Sequence, residues 1–104
     1  MFVVDVLKEE LDNSLQMKEN YERSLAEIPK GSLVRREIKG HGYYYLVYRE
    51  AGAVKSIYKG KVSEAELAKY GVFKEKRSRC RKHLSEVNKQ IRFIRKVLRA
   101  KDAA

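Results

Sequence analysis

The sequence has few of the residues that build covalent or catalytic sites. It contains one cysteine, two histidines, one proline and no tryptophan in 104 residues. The single cysteine, Cys80, excludes an internal disulfide, and its place in a helical apolar pattern predicts a buried thiol rather than a nucleophile. No metal-ligand cluster, glycine-rich phosphate loop or paired-carboxylate site occurs at a recognised spacing. We therefore expect no enzyme activity, no metal and no cofactor.

Long apolar runs and a signal-peptide pattern are also missing. Residues 1–4 form one of the longest apolar runs and are far too few to cross a bilayer. We therefore expect a cytoplasmic protein. A membrane-surface role is disfavoured for another reason, because the apolar stripe of the basic C-terminal segment has the regular spacing of a protein-type seam. At 43% hydrophobic and 37% charged residues, a chain of this length predicts a single domain, residues 1–104, with a modest core.

The two histidines have ordinary explanations. His41 lies between two glycines, which predicts a turn residue, with a phosphate contact as the alternative. His83 lies beside Leu84 among lysines and arginines, which predicts a solvated position at the edge of a helix. Neither histidine indicates catalysis.

The net charge of +10 is unevenly spread along the chain. Residues 1–30 carry four Lys/Arg and seven Asp/Glu, residues 31–62 seven and two, and residues 63–104 thirteen and five, which gives −3, +5 and +8. The basic character therefore belongs to the middle and C-terminal segments, and the N-terminal segment is their acidic complement.

The first segment has the pattern of an amphipathic helix. Its apolar residues follow steps of three and four with a polar gap in the middle: Val4, Leu7, Leu11 and Leu15, then Tyr21, Leu25 and Ile28. Pro29 cannot continue a helix, and Gly31 follows it closely. We predict a helix over residues 1–28 whose last turn ends near Glu27.

The middle segment contains a stretch of tyrosines bounded by glycines. Alternation sends Tyr43, Tyr45, Val47 and Arg49 to one face of a strand, and it sends Tyr44, Leu46, Tyr48 and Glu50 to the other face. Strands from about Leu33 to Lys39 and from Ala53 to Lys59 flank it, joined by a Gly40-His41-Gly42 link and by the turn around Gly52. The segment predicts a three-stranded antiparallel meander over residues 33–60. Which face is buried stays open.

The last segment predicts a long helix over residues 63–100, capped by Ser63. Gly71 predicts a kink or a break. The apolar seam beyond it alternates steps of four and three: Phe73, Arg77, Cys80, Leu84, Val87, Ile91, Ile94 and Leu98. Residues 100–104 are expected to fray.

Together these segments predict an α+β protein. The two helices, one acidic and one basic, are expected to pack as an antiparallel coiled-coil-like hairpin. A homodimer through the C-terminal helix is the alternative, and the two arrangements are compatible.

The mixture of cations and tyrosines in the middle segment indicates nucleic-acid binding, because cations track phosphates while phenols stack on bases or contact sugars. Packing across strands is the structural alternative for each tyrosine. We predict the binding residues to be Arg35, Arg36, Lys39, Tyr43, Tyr45, Arg49, Lys55 and Lys59. A non-enzymatic nucleic-acid-binding protein that uses this sheet and the basic helix is the favoured function. A structural or protein-interaction module that homodimerises or docks a partner through its helical seams is the second.

The middle segment also resembles a known motif over residues 30–61. The residues that carry the resemblance are Lys30-Gly-Ser-Leu33, Arg36, Ile38-Lys-Gly40, Tyr43-Tyr-Tyr-Leu46, Tyr48-Arg-Glu50, Val54-Lys-Ser56 and Tyr58-Lys-Gly-Lys61. They resemble small prokaryotic proteins of a domain-of-unknown-function type. More loosely, they are similar to the β-meander at the start of some transposases and to the arm-binding domain of tyrosine recombinases. That resemblance implies DNA, more than RNA, as the ligand of the sheet, and no strand-transfer chemistry.

Overall fold

A computed structural model describes residues 2–103 and has five elements in the predicted order. These are helix α1 (Phe2–Glu27), strands β1 (Ser32–Ile38), β2 (His41–Glu50) and β3 (Ala53–Gly60), and helix α2 (Glu64–Ala103). The α+β prediction is confirmed. The chain divides into two compact units: a helical unit of α1 with α2 from Ser78 onward, and a sheet unit, Ile28–Arg77.

Helix α1 ends at Glu27, as the proline two residues later predicted. Its buried stripe is continuous, because the polar gap in the sequence pattern is filled by two residues that do face inward. Ser14 is only 2% exposed, and Lys18 is half-buried. With them the stripe keeps steps of three and four from Val4 to Leu25.

The core of the helical unit lies on α2. Val87, Ile91, Ile94 and Leu98 are its buried apolar residues. The ring of Tyr21 on α1 stacks on the ring of His83 on α2, with centroids 5.4 Å apart and an interplanar angle of 16°. Ser14 lies seven residues before Tyr21, and Gln90 lies seven residues after His83. Because the helices are antiparallel, this equal offset places the small Ser14 side chain opposite the part of α2 around Gln90, within the core. The predicted helical hairpin is confirmed.

Helix α2 is longer and more regular than predicted. It begins at Glu64, where the Ser63 hydroxyl accepts a hydrogen bond from the Glu66 amide at 3.1 Å, so the predicted N-cap is confirmed. It then runs uninterrupted through Gly71 and on to Ala103. A single glycine costs a helix only about 1 kcal/mol relative to alanine, which one turn of a long helix absorbs, so the predicted break is absent. Of the residues expected to fray, 100–103 are helical and Ala104 lies outside the described residues.

The three strands form one antiparallel sheet in the order β1-β2-β3. Both connections are two-residue turns, Lys39-Gly40 and Ala51-Gly52, and all four residues have positive φ between 51° and 80°. This is the type I′ geometry that matches the twist of a hairpin. The predicted Gly40-His41-Gly42 link is therefore wrong by one residue, because His41 already pairs with Ile38 as the first residue of β2.

The start of β1 is fixed within the sheet unit by Arg77 of α2. Its guanidinium donates to the carbonyl oxygens of Pro29 at 2.7 Å and Gly31 at 2.9 Å, and to the Ser32 hydroxyl at 3.4 Å. Gly31 has a φ of 104°, and a Cβ there would lie 2.7 Å from a methyl carbon of Leu46. The residue that interrupts the apolar seam of α2 is therefore a clamp on the turn between α1 and β1.

Candidate nucleic-acid interface

The register of the strands decides which side chains share a face of the sheet. Tyr43 pairs with Arg36, and Tyr45 pairs with Val34 on one side and with Tyr58 on the other. Directly paired residues point to the same face, and alternate residues follow them. The tyrosine face therefore consists of Ser32, Val34, Arg36, Ile38, His41, Tyr43, Tyr45, Val47, Arg49, Val54, Ser56 and Tyr58.

Four rings form one cluster on the tyrosine face. Tyr58 lies at its centre, with its ring centroid 5.3 Å from that of Tyr45 and 6.2 Å from that of Tyr43. His41 continues the row, 6.4 Å from Tyr43. The interplanar angles of 61°, 46° and 59° are edge-to-face or tilted, which is the geometry aromatic quadrupoles prefer. Such contacts leave ring faces uncovered by other rings.

Arg36 lies beside this cluster, with its guanidinium carbon 5.3 Å from the centre of the Tyr45 ring. The register of β1 and β2 explains the contact, because Arg36 lies directly opposite Tyr43 and diagonally opposite Tyr45. A cation over a ring is a cation–π contact, which holds the guanidinium against the face and leaves its outer donors for a ligand.

The two acidic residues of the strands both lie on the opposite face. Glu37 pairs with Gly42, and Glu50 lies in register with Ala53 and forms an ion pair with Lys55 at 3.4 Å. The tyrosine face thus carries Arg36 and Arg49 and no carboxylate, whereas the opposite face has mixed charges. Among the strand residues, carboxylates that repel an anion therefore lie only on the opposite face.

The tyrosine face is also open to solvent. Tyr58 is 58% exposed and Val54 is 62% exposed, and Val34 and Ile38 are exposed as well. No described residue between 28 and 77 is fully buried. An open apolar and aromatic surface on a strand face indicates a binding surface more than a core.

The predicted binding residues do not all come together. Arg36, Tyr43 and Tyr45 lie in the cluster, and Arg49 lies on the same face near the end of β2. Arg35 lies on the opposite face, where its side chain crosses Gly42. Lys55 lies on that face too, in its pair with Glu50.

The other two predicted lysines lie outside the strand alternation. Lys39 is in the first turn. Lys59 is the extra residue of a β-bulge, because β2 advances from Tyr44 to Tyr45 while β3 goes from Gly60 to Tyr58. Both are exposed.

The residue that the sequence prediction omitted is Tyr58, which is the centre of the ring cluster. A signal for it was present: a two-residue turn at Ala51-Gly52 fixes the register of the second hairpin and places Tyr58 opposite Tyr45. The histidines also differ from expectation. His41 is an exposed strand residue beside Tyr43, and His83 is a half-buried stacking partner with its Nδ1 3.8 Å from a Glu86 carboxylate oxygen.

Other surfaces of the described residues have fewer features of a binding site than the tyrosine face. A shallow groove of about 340 Å³ is lined by the opposite-face residues Leu46, Tyr48, Glu50 and Ile57 together with Lys30 and Arg49. Within residues 2–103, no three His, Cys, Asp or Glu side chains are grouped as metal ligands would be. No helix in that range combines the length and apolar character that a bilayer crossing requires.

Comparison with known proteins gives a family and no relative of known activity. Neither a curated protein nor a solved structure matches the chain. The model of a family described as a domain of unknown function, DUF6788, matches residues 6–69, which cover α1 from Val6 onward, the whole sheet and the first six residues of α2. Since the match covers more than half of the 104 residues, the chain belongs to the DUF6788 family.

Proposed function

We propose that this protein binds nucleic acid without catalysing a reaction, and that it does so through the tyrosine face of the sheet. The observation that carries the proposal is the composition of that face, which has aromatic rings, two arginines, open apolar side chains and no carboxylate. Arginines contact phosphates and rings contact bases or sugars, so the face offers both halves of such an interface.

Two further features support the proposal. The exposed lysines and arginines of α2 provide additional positive charge that attracts a polyanion and steers its approach. The resemblance of residues 30–61 to the DNA-binding sheets of transposases and arm-binding domains favours DNA over RNA. The setting we propose is the cytoplasm of a prokaryotic cell.

The test is a fluorescence-anisotropy titration of labelled DNA duplex, DNA single strand and RNA hairpin at two salt concentrations. The variant Arg36→Gln/Arg49→Gln changes the tyrosine face, and Arg35→Gln/Lys55→Gln makes the same change in charge on the opposite face. We expect micromolar or tighter binding that weakens with salt, and a larger loss for the first variant than for the second. No binding at low salt, or equal losses, would contradict the proposal.

A second candidate function is a docking surface for a protein on the outer face of α2. The seam residues Ile91 and Ile94 are buried within the helical unit, so they are not available to a partner. Phe93, in contrast, is 65% exposed and borders a shallow groove of about 420 Å³ with Val97, Ala100, Lys96 and Lys101. Its basic margin suits an acidic partner or the acidic α1 of a second copy.

Light scattering tests the homodimeric form of this candidate. A dimer in solution that dissociates on Phe93→Ser, while the helical content stays unchanged, would support it. A monomer at all concentrations would leave only a different protein as the partner.

A further inference from the structure

We infer that the tyrosine face selects single-stranded over double-stranded nucleic acid, and that Tyr58 is its main stacking platform. The inference rests on the proposed function and specifies the ligand of the same surface. Three properties of the face lead to it: its few cations, its exposed apolar side chains and the arrangement of its rings.

The tyrosine face itself carries few cations. A protein that makes about six to ten phosphate contacts on duplex DNA draws a large share of its affinity from the phosphates. The strands contribute Arg36 and Arg49 to the tyrosine face, and Lys39 and Lys59 lie at the first turn and at the bulge. Two to four phosphate contacts suit a short single strand whose affinity comes largely from its bases.

The exposed apolar residues favour the same ligand. Val34, Ile38 and Val54 are 38%, 42% and 62% exposed on the tyrosine face. The outer surface of a duplex presents phosphates and sugars, and it shows only base edges in its grooves. An unpaired strand presents the flat apolar faces of its bases, which gain from contact with these side chains.

The rings are arranged to receive such bases. Arg36 occupies one side of the Tyr45 ring, whereas Tyr58 is 58% exposed at the centre of the cluster. Tyr43 and Tyr45 meet Tyr58 at 46° and 61°, so no ring sandwiches another. Sheets that read single strands stack two or three bases on their aromatic residues, which agrees with one central ring and two flanking ones.

The experiment compares three ligands of one length and one salt concentration: a single strand, its duplex and a strand with abasic sites in place of its bases. We expect the single strand to bind at least about 10-fold more tightly than the duplex. The abasic strand should lose at least about 30-fold, since two or three bases stack and each contributes about 1–3 kcal/mol. The wild-type protein suffices for this comparison, so it does not depend on the stability of any variant.

Two variants then test Tyr58 itself, and a third, at Tyr48, is the control. Tyr58→Leu keeps an apolar strand residue and removes the ring, so it should lose about 5- to 100-fold on the single strand. Tyr58→Phe keeps the ring and should stay within about 2-fold, as should Tyr48→Leu on the opposite face. Circular dichroism and urea unfolding establish that each variant is folded.

The outcomes are distinct for the two proposals. Duplex binding equal to or tighter than single-strand binding would overturn this inference and leave nucleic-acid binding in place. Single-strand binding that survives both abasic substitution and Tyr58→Leu would overturn the role of stacking. Failure to bind any of the three ligands at low salt would overturn the proposed function together with this inference.

Discussion

Two residues of the β-turns hold a backbone conformation that glycine adopts more easily. Lys39 has a φ of 52° and Ala51 a φ of 51°. A left-handed conformation costs an ordinary residue about 1–2 kcal/mol, because its Cβ approaches the following carbonyl oxygen. Asparagine tolerates this conformation, and Asn-Gly is a preferred pair for a type I′ turn.

We therefore expect Ala51→Asn to raise the free energy of unfolding by about 0.5–1 kcal/mol. Urea denaturation followed by circular dichroism measures the change. Gly52→Ala, which puts a Cβ on the neighbouring residue at a φ of 80°, serves as the opposite control and should destabilise the protein. A fall in stability for Ala51→Asn would contradict the turn geometry.

Arg77 is the residue whose replacement tests the clamp at the start of β1. It donates to two backbone carbonyl groups, those of Pro29 and Gly31, in a forked geometry that a lysine ammonium cannot reproduce. Arg77→Lys should therefore lower the free energy of unfolding by about 1–3 kcal/mol. Arg81→Lys, at an exposed position one turn later, should change it by less than about 0.5 kcal/mol.

Hydrogen exchange gives a second measurement of the clamp. Loss of protection confined to the first residues of β1 in Arg77→Lys would agree with the structure. Equal stability of the Arg77 and Arg81 variants would show that the two hydrogen bonds contribute nothing measurable.

For single residues, the sequence predicted local structure correctly where a residue type has one characteristic effect on the backbone. Pro29 ended α1 and Ser63 capped α2 as predicted. The first turn differs from the prediction: the sequence pattern places Lys39 in a strand and His41 in the link, whereas Lys39 and Gly40 form the turn. A lysine at positive φ has no signature in a single sequence, since its propensity disfavours the conformation that the hairpin imposes.

At the scale of the element, the two helices depend on one buried seam. Ile91 is 4% exposed, while Phe93, two residues later in the same helix, is 65% exposed. A change of Ile91 to alanine removes buried contacts and leaves a cavity. A change of Phe93 to alanine removes mostly hydrated surface.

We expect Ile91→Ala to lower the free energy of unfolding by about 2–5 kcal/mol and Phe93→Ala to lower it by less than about 1 kcal/mol. Thermal and urea unfolding of the two variants measure the difference. Equal effects would mean that the packing of α1 on α2 differs from the structure.

The seam on α2 was readable from the sequence because its steps of four and three are unbroken. The seam on α1 was only half readable. Its heptad positions continue through Ser14 and Lys18, which a hydropathy pattern marks as a gap. A small serine can lie in a helix interface, and a long lysine can cover one with its methylenes, so position in the heptad decided their burial more than polarity did.

The sheet shows the same division. Alternation sorted the side chains of β2 into two sets, but both sets contain tyrosines, so the pattern could not choose between them. Pairing with β1 and β3 brought Arg36 and Tyr58 to one set and Glu37 to the other, which already contained Glu50. The charge of a face is a property of three strands together.

At the scale of the whole molecule, the net charge of +10 is the feature that a ligand meets first. Long-range attraction of a polyanion depends on this total, whereas selectivity depends on the few groups that touch it. A salt titration separates the two contributions.

We expect the logarithm of the single-strand association constant to fall linearly with the logarithm of salt concentration, with a slope of about −0.7 for each phosphate contact. Arg36→Gln/Arg49→Gln should make that slope shallower by about 1.4 if both arginines contact phosphates. Arg35→Gln/Lys55→Gln should leave it nearly unchanged. Slopes that change equally in both variants would indicate diffuse attraction without a defined face.

The helices and strands of this protein, their order and the heptad seam of α2 can be predicted from the amino-acid sequence, because they follow from local propensity and from periodicity along one segment. The tertiary structure decided the register of the sheet, the continuity of the α1 stripe through Ser14 and the placement of Arg36, rather than Arg35, beside Tyr43 and Tyr45. These features depend on residues that are far apart in the chain and meet only when strands pair and helices pack. Each of them is stabilised by contacts with a distant strand or helix, so a short stretch of the sequence does not contain the residues that specify it.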